Sequence, residues 1–114
     1  ADANGITTPM FAAVGAGAVT QATSSTTAVT ENSYQGVITL FANLAALTTA
    51  AFTLNNNKIT TTSAIFLSVK ATSSTDFCVQ MNGNPAAGSV GITITNNHAT
   101  NTLTSPKIHF CVFN

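Results

Sequence analysis

Ser89-Val90-Gly91-Ile92-Thr93-Ile94-Thr95 decides the fold. Val90, Ile92 and Ile94 alternate with Gly91, Thr93 and Thr95, the period of two that sends one row to a core and the other to the opposite face. β-branched residues are stiff at χ1 and fit a pleated surface, which is why this run prefers a strand. The same pattern extends outward in both directions. Upstream it recurs in Val19–Thr23, Ala28–Thr30, Gly36–Phe41, Ala51–Leu54, Ser63–Lys70 and Phe77–Met81. Downstream it recurs in Lys107–Phe113. Polar turns separate these runs: Asn32-Ser33, Asn55-Asn56-Asn57-Lys58, Thr72 to Thr75 and Asn82-Gly83-Asn84-Pro85.

Seven or eight strands at spacings of roughly 10–12 residues predict an all-β domain, a single antiparallel β-sandwich of jelly-roll-like or Ig-like type. The domain spans 18–114, and residues 1–17 read as an extended N-terminal arm. Gly5, Pro9, Gly15 and Gly17 oppose a stable helix or long strand in that arm. Ala42 to Thr49 is a helical candidate, or a loop whose Leu44 and Leu47 plug the end of the sandwich. The rows Ile65/Leu67/Val69, Phe77/Val79/Met81, Val90/Ile92/Ile94 and Ile108/Phe110/Val112 form the expected core.

Charge is scarce. Asp, Glu, Lys and Arg make up 5% of the 114 residues, and the formal net charge is zero; an ordinary domain carries about a quarter. Thr, Ser and Asn take their place. A surface this neutral repels its own copies weakly and favours association. The three basic residues, Lys58, Lys70 and Lys107, are scattered, whereas phosphate binding needs them clustered, so no nucleic-acid partner is expected. No apolar run is long enough to span a bilayer, so no membrane partner is expected either. The start has no positive end and no apolar stretch of a secretory signal, and reads as a chain trimmed of its initiator Met. Asn-x-Ser/Thr acceptors are missing despite many Asn, Ser and Thr, which disfavours a glycoprotein of eukaryotic origin.

The rows opposite the core are semi-apolar and uncharged: His109, Cys111 and Phe113 on the last strand, Cys78 and Gln80 on an earlier one. A solvated row normally carries Lys or Glu, partly against edge-to-edge aggregation. These five residues read as a subunit interface, or as a layer covered by a loop of the same chain. Ile6, Met10, Phe11 and Val14 are the expected anchors of the arm, on a neighbouring subunit or on its own domain.

Catalytic chemistry finds little footing. Asp2, Glu31, Asp76, His98 and His109 are the titratable candidates, and no spacing pairs them. His109 and Cys111 share one face of a strand about 7 Å apart, too far for a direct hydrogen bond. Cys78, His109 and Cys111 could ligate a metal only if their strands adjoin, and no CxxC or HxxxH spacing supports it. Two cysteines make no disulfide framework; they are free thiols, a pair, or a bridge between subunits. No catalytic residue, metal or cofactor is expected, and the chain is not expected to be an enzyme.

One resemblance adds to this reading. Val19-Thr20-Gln21-Ala22-Thr23, Gly36-Val37-Ile38-Thr39, Phe52-Thr53-Leu54-Asn55-Asn56, Gly88 to Asn96, His98-Ala99-Thr100-Asn101 and Lys107-Ile108-His109-Phe110 together resemble a small β-sandwich module of structural proteins in tailed bacteriophages. The likeness covers about residues 18 to 114; the two cysteines and the arm lie outside the pattern. It implies a virion structural protein, in first place a capsid decoration (cement) subunit assembled in the host cytoplasm. Its implied partners are its own copies, as a trimer, and the major capsid protein or other virion proteins. A tail-fibre or receptor-binding tip module and a bacterial surface filament subunit are the alternatives.

Overall fold

A computed structural model of the chain describes residues 16–114. The described chain is all-β, with eight strands in two four-stranded sheets. The strands are β1 (Ala16–Thr20), β2 (Val29–Thr30), β3 (Gln35–Thr39), β4 (Thr48–Asn55), β5 (Ala64–Thr72), β6 (Phe77–Met81), β7 (Ser89–Asn96) and β8 (Thr104–Phe113). One sheet has the order β1-β3-β8-β5 and the other β2-β4-β7-β6. Each expected strand has an observed counterpart, and a single shared core lies between the sheets in a β-sandwich-like arrangement.

The core follows from the alternation. In the first sheet Ile38, Ile108 and Val69 form one row across three strands. In the second, Phe52 pairs with Ile92, and Ala50 and Val79 flank Ile94. Ile38, Leu54, Ile92, Ile94, Leu103 and Ile108 are wholly buried, each contributing about 1.5–3 kcal/mol through removal of apolar surface from water. Met81, expected in the core, is 37% exposed. It ends the short edge strand β6, so no neighbour covers it on one side.

Three further expectations change. The sandwich is not purely antiparallel: β1 runs parallel to β3, and β2 runs parallel to β4. The chain leaves the first sheet after β1, touches the second at β2 and returns at β3, so β1 and β3 point the same way. Residue alternation sets which face a side chain takes and says nothing of strand direction. Ala42 to Thr49 is neither helix nor simple plug. Leu44 is buried and bridges Leu103, whereas Leu47 is 69% exposed at φ 58°, left-handed backbone that a leucine rarely adopts. β8 begins three residues before the expected Lys107 and runs through Pro106. Proline is tolerated there because the β5–β8 register shifts between Lys70 and Thr72, a bulge that spares the ladder a donor.

Polar residues hold the ends of the sandwich. Gln21, Asn56 and Asn96 are buried amides, and each bonds loop backbone. Gln21 Nε2 donates to the carbonyls of Ser25 (3.0 Å) and Thr27 (3.1 Å), while its Oε1 accepts from Phe41 N–H (3.0 Å). Asn56 Nδ2 donates to Ser33 O, and Asn56 Oδ1 accepts from Lys58 N–H. Asn96 Nδ2 donates to the carbonyls of Leu44, Ala45 and Asn101, and its Oδ1 accepts from Ser74 Oγ and His98 N–H. An amide carries both donors and acceptors at no net charge, so a chain poor in ions can still satisfy buried loop backbone.

Candidate functional site

The outer face of the β1-β3-β8-β5 sheet is the chain's most unusual surface. Its rows are read directly across the ladder. Gln35, Cys111 and Phe66 form one row; Val37, His109 and Ser68 form the next. Ala18 extends the second row onto β1, and Ala64 stands beside Phe113. Phe66 is 60% exposed, and its ring lies 5.0 Å from the ring of Phe113 at 53°. The rows above Lys70 and Lys107 therefore hold no Asp, Glu, Lys or Arg. Lys70 and Lys107 are direct cross-strand partners at one border of the patch. Like charges in that position destabilise a sheet by themselves, and they border the apolar patch with a charged, solvated edge; interface rims are polar.

The expected interface residues divide between two surfaces. His109, Cys111 and Phe113 lie on the outer face just described. Cys78 and Gln80 pair with Thr95 and Thr93 on the outer face of the other sheet. The two rows thus stand on opposite sides of the sandwich and cannot serve one contact. Ile6, Met10, Phe11 and Val14 lie outside the described residues. Phe66 was missed by the sequence reading, although the period of two in Ser63–Lys70 already puts it opposite Ile65 and Leu67.

The chemistry-bearing residues are likewise dispersed. Cys78 and Cys111 are both free thiols. They point outward from sheets packed about 10 Å apart, beyond the roughly 7 Å Cα separation that a disulfide tolerates. The trio Cys78, His109 and Cys111 is split by the same geometry, and among the described residues no group of three or more His, Cys, Asp or Glu is placed to hold a metal. Partial burial pushes the Cys111 thiol up from its ordinary value, which lowers its thiolate fraction and its nucleophilicity. His98 Nδ1 accepts from the N–H groups of Thr100 and Asn101 at 3.1 and 3.0 Å, so its ring organises a loop. Glu31 accepts a hydrogen bond from Ser33 Oγ. Among the described residues no helix is long and apolar enough to cross a membrane.

One prediction follows for the thiols. Protein purified without reductant and unfolded in denaturant should titrate as two free thiols per chain. Any oxidation product should be linked between chains. A monomer with no titratable thiol would contradict the opposed placement of Cys78 and Cys111. Comparison with known proteins returns no matching family model, no matching curated protein and no matching solved structure.

Proposed function

We propose that the chain is a structural subunit that acts by protein–protein contact, a virion protein of the capsid-decoration kind that binds its own copies and the shell beneath them. The observation that carries this reading is the uncharged outer face around Phe66. A phenylalanine more than half exposed beside a second aromatic ring, in a chain with 5% charged residues, is a surface suited to being covered. Size decides what kind of contact it makes. Strands of five, five, ten and nine residues set about 4.8 Å apart present only some 450 Å². A stable pairwise complex buries about 800 Å² per partner. One such face gives weak association, so the reading favours symmetric assembly, where many small contacts add.

The Ig-like form of the sandwich is part of the proposal. Taking β2, β4, β7 and β6 as A, B, E and D, and β5, β8 and β3 as C, F and G, gives the strand orders of that fold, with β1 added outside β3 and with β2 parallel to β4 instead of antiparallel. In this scheme β3 fills the last strand position from the N-terminal side. β8 is then flanked on both sides, by β3 and β5, so a strand from a filament neighbour would have to add at an edge strand, β1 or β5 in this sheet. The fibre-tip alternative draws on the far end of the sandwich, where Tyr34 is 50% exposed with Lys58 Nζ 5.4 Å over its ring.

Sedimentation velocity tests the reading. The sedimentation coefficient should rise as the chain is concentrated from about 1 μM to about 1 mM. Phe66→Lys should hold it at the monomer value while costing about 1 kcal/mol of stability through the lost aromatic pair. A wild-type chain that stays monomeric throughout, and that is absent from purified particles of cells expressing it, overturns the proposal.

A further inference from the structure

The outer face of the β2-β4-β7-β6 sheet carries a groove of about 460 Å³, within the size range of small-ligand sites. Its depth has a simple origin. Outward positions in the middle of a sheet usually hold side chains that fill the surface, but here Ala51 and Gly91 form the floor. The first wall leans over that floor because Gly91 is bare: a Cβ there would lie 2.8 Å from Asn82 O and 3.1 Å from Asn82 Cβ. Asn82 N–H donates to Gly91 O at 2.8 Å and fixes the wall. Ala86 and Ser89 bridge each other and fix its far end. The opposite wall, around Thr26, is held by Gln21 through the Thr27 carbonyl. Both walls are therefore built before any ligand arrives.

The lining selects a chemistry. No residue lining the groove is charged. The side chains of Thr53, Asn82, Asn84 and Ser89 have no hydrogen-bond partner among the described residues. Amides and hydroxyls both donate and accept, which complements a ligand whose groups do the same. Phosphates and carboxylates would need a cation; Lys70 and Lys107 stand on the other sheet, and Lys58 lies over the Tyr34 ring and is not part of the lining. An extended peptide would pair along the edge of β4, which β2 covers only at Leu54 and Asn55, whereas over the floor itself β4 and β7 are laddered to each other along their whole length. We propose that this groove binds a neutral, hydroxyl-rich ligand of about disaccharide size, the class of an uncharged glycan. Phe52 points into the core, so no aromatic ring stacks on the sugar. The affinity per site is then low, with Kd near 1 mM, and copies in an assembly would raise it by avidity.

The site lies on the opposite side of the sandwich from Phe66, so it stands or falls independently of the assembly reading. Amide chemical shifts of the full ¹⁵N-labelled chain test it, with lactose, maltose and cellobiose added to about 50 mM and 3′-sialyllactose as the charged comparator. At least one neutral sugar should shift Thr53, Asn82, Asn84, Ser89 and Gly91 together. Asn84→Ala, on an exposed loop, and Thr53→Val, a near-isostere, should each weaken that binding about fivefold or more and leave the rest of the spectrum in place. The proposal is overturned by a spectrum unmoved by all three neutral sugars. Undiminished binding in both variants, preference for the charged sugar, or shifts confined to the other sheet would overturn it equally.

Discussion

Asn96→Ala should lower the melting temperature by about 15–20 °C, the largest effect expected of any single polar substitution in the chain. Asn96 is fully buried. Its Nδ2 reaches Leu44 O at 3.0 Å, Ala45 O at 3.2 Å and Asn101 O at 2.8 Å. Its Oδ1 accepts from Ser74 Oγ at 3.0 Å and from His98 N–H at 3.1 Å. One side chain thus joins the loops after β3, β5 and β7. Alanine strands several of these groups at once. Two N–H groups shared among three carbonyls and two bonds accepted by Oδ1 make four buried bonds; at about 1 kcal/mol each the loss is about 4 kcal/mol, and a domain of about 100 residues loses some 4–5 °C per kcal/mol. Asn96→Asp should be no rescue, because it turns an oxygen toward three carbonyls. Asn97→Ala, one residue on but exposed, should stay within about 0.5 kcal/mol of wild type. Calorimetry decides: equal losses at positions 96 and 97 would refute the pin.

Gly36→Val should cost about 3 kcal/mol and release β1 from the sheet. Gly36 is buried in β3, opposite Gly17 of β1. A Cβ at position 36 would lie 2.8 Å from the Gly17 carbonyl oxygen and 2.8 Å from two ring carbons of Phe110. Phe110 is itself only 2% exposed, so its ring has nowhere to go, and the other obstacle is backbone. The small residue therefore allows a close approach that valine prohibits. Urea unfolding should show the lost stability. Hydrogen exchange should show lost protection across Ala16–Thr20 with β4 and β7 retained. Full protection of β1 in the variant would show that the strands can part without it.

Much of the architecture was legible along the chain because alternation of apolar and polar residues is a local property. The run from Ser89 to Thr95 needed no partner to be read as a strand with a buried row, and Val90, Ile92 and Ile94 are all buried. The candidate surface was legible in part. His109, Cys111 and Phe113 share a face because they are spaced by two, and spacing alone establishes that. Whether Cys78 and Gln80 join them depends on which sheet β6 enters, and nothing in residues 77–81 specifies it. The buried amides were illegible for the same reason. Asn96 sits at a strand end beside other polar residues, and what distinguishes it from Asn97 is a set of carbonyls up to 52 positions away.

Local patterning, then, determined that this chain forms short strands with one greasy row each, that charge would be nearly absent from its surface, and that turns would be built from Asn, Gly and Ser. Tertiary structure alone decided the two parallel pairings, the separation of the cysteines onto opposite faces, the exposure of Leu47 and the groove above Gly91. The physical reason is that a strand's period states which side of a sheet a residue takes, whereas neighbours, directions and hollows arise only when distant segments compete to cover the same core.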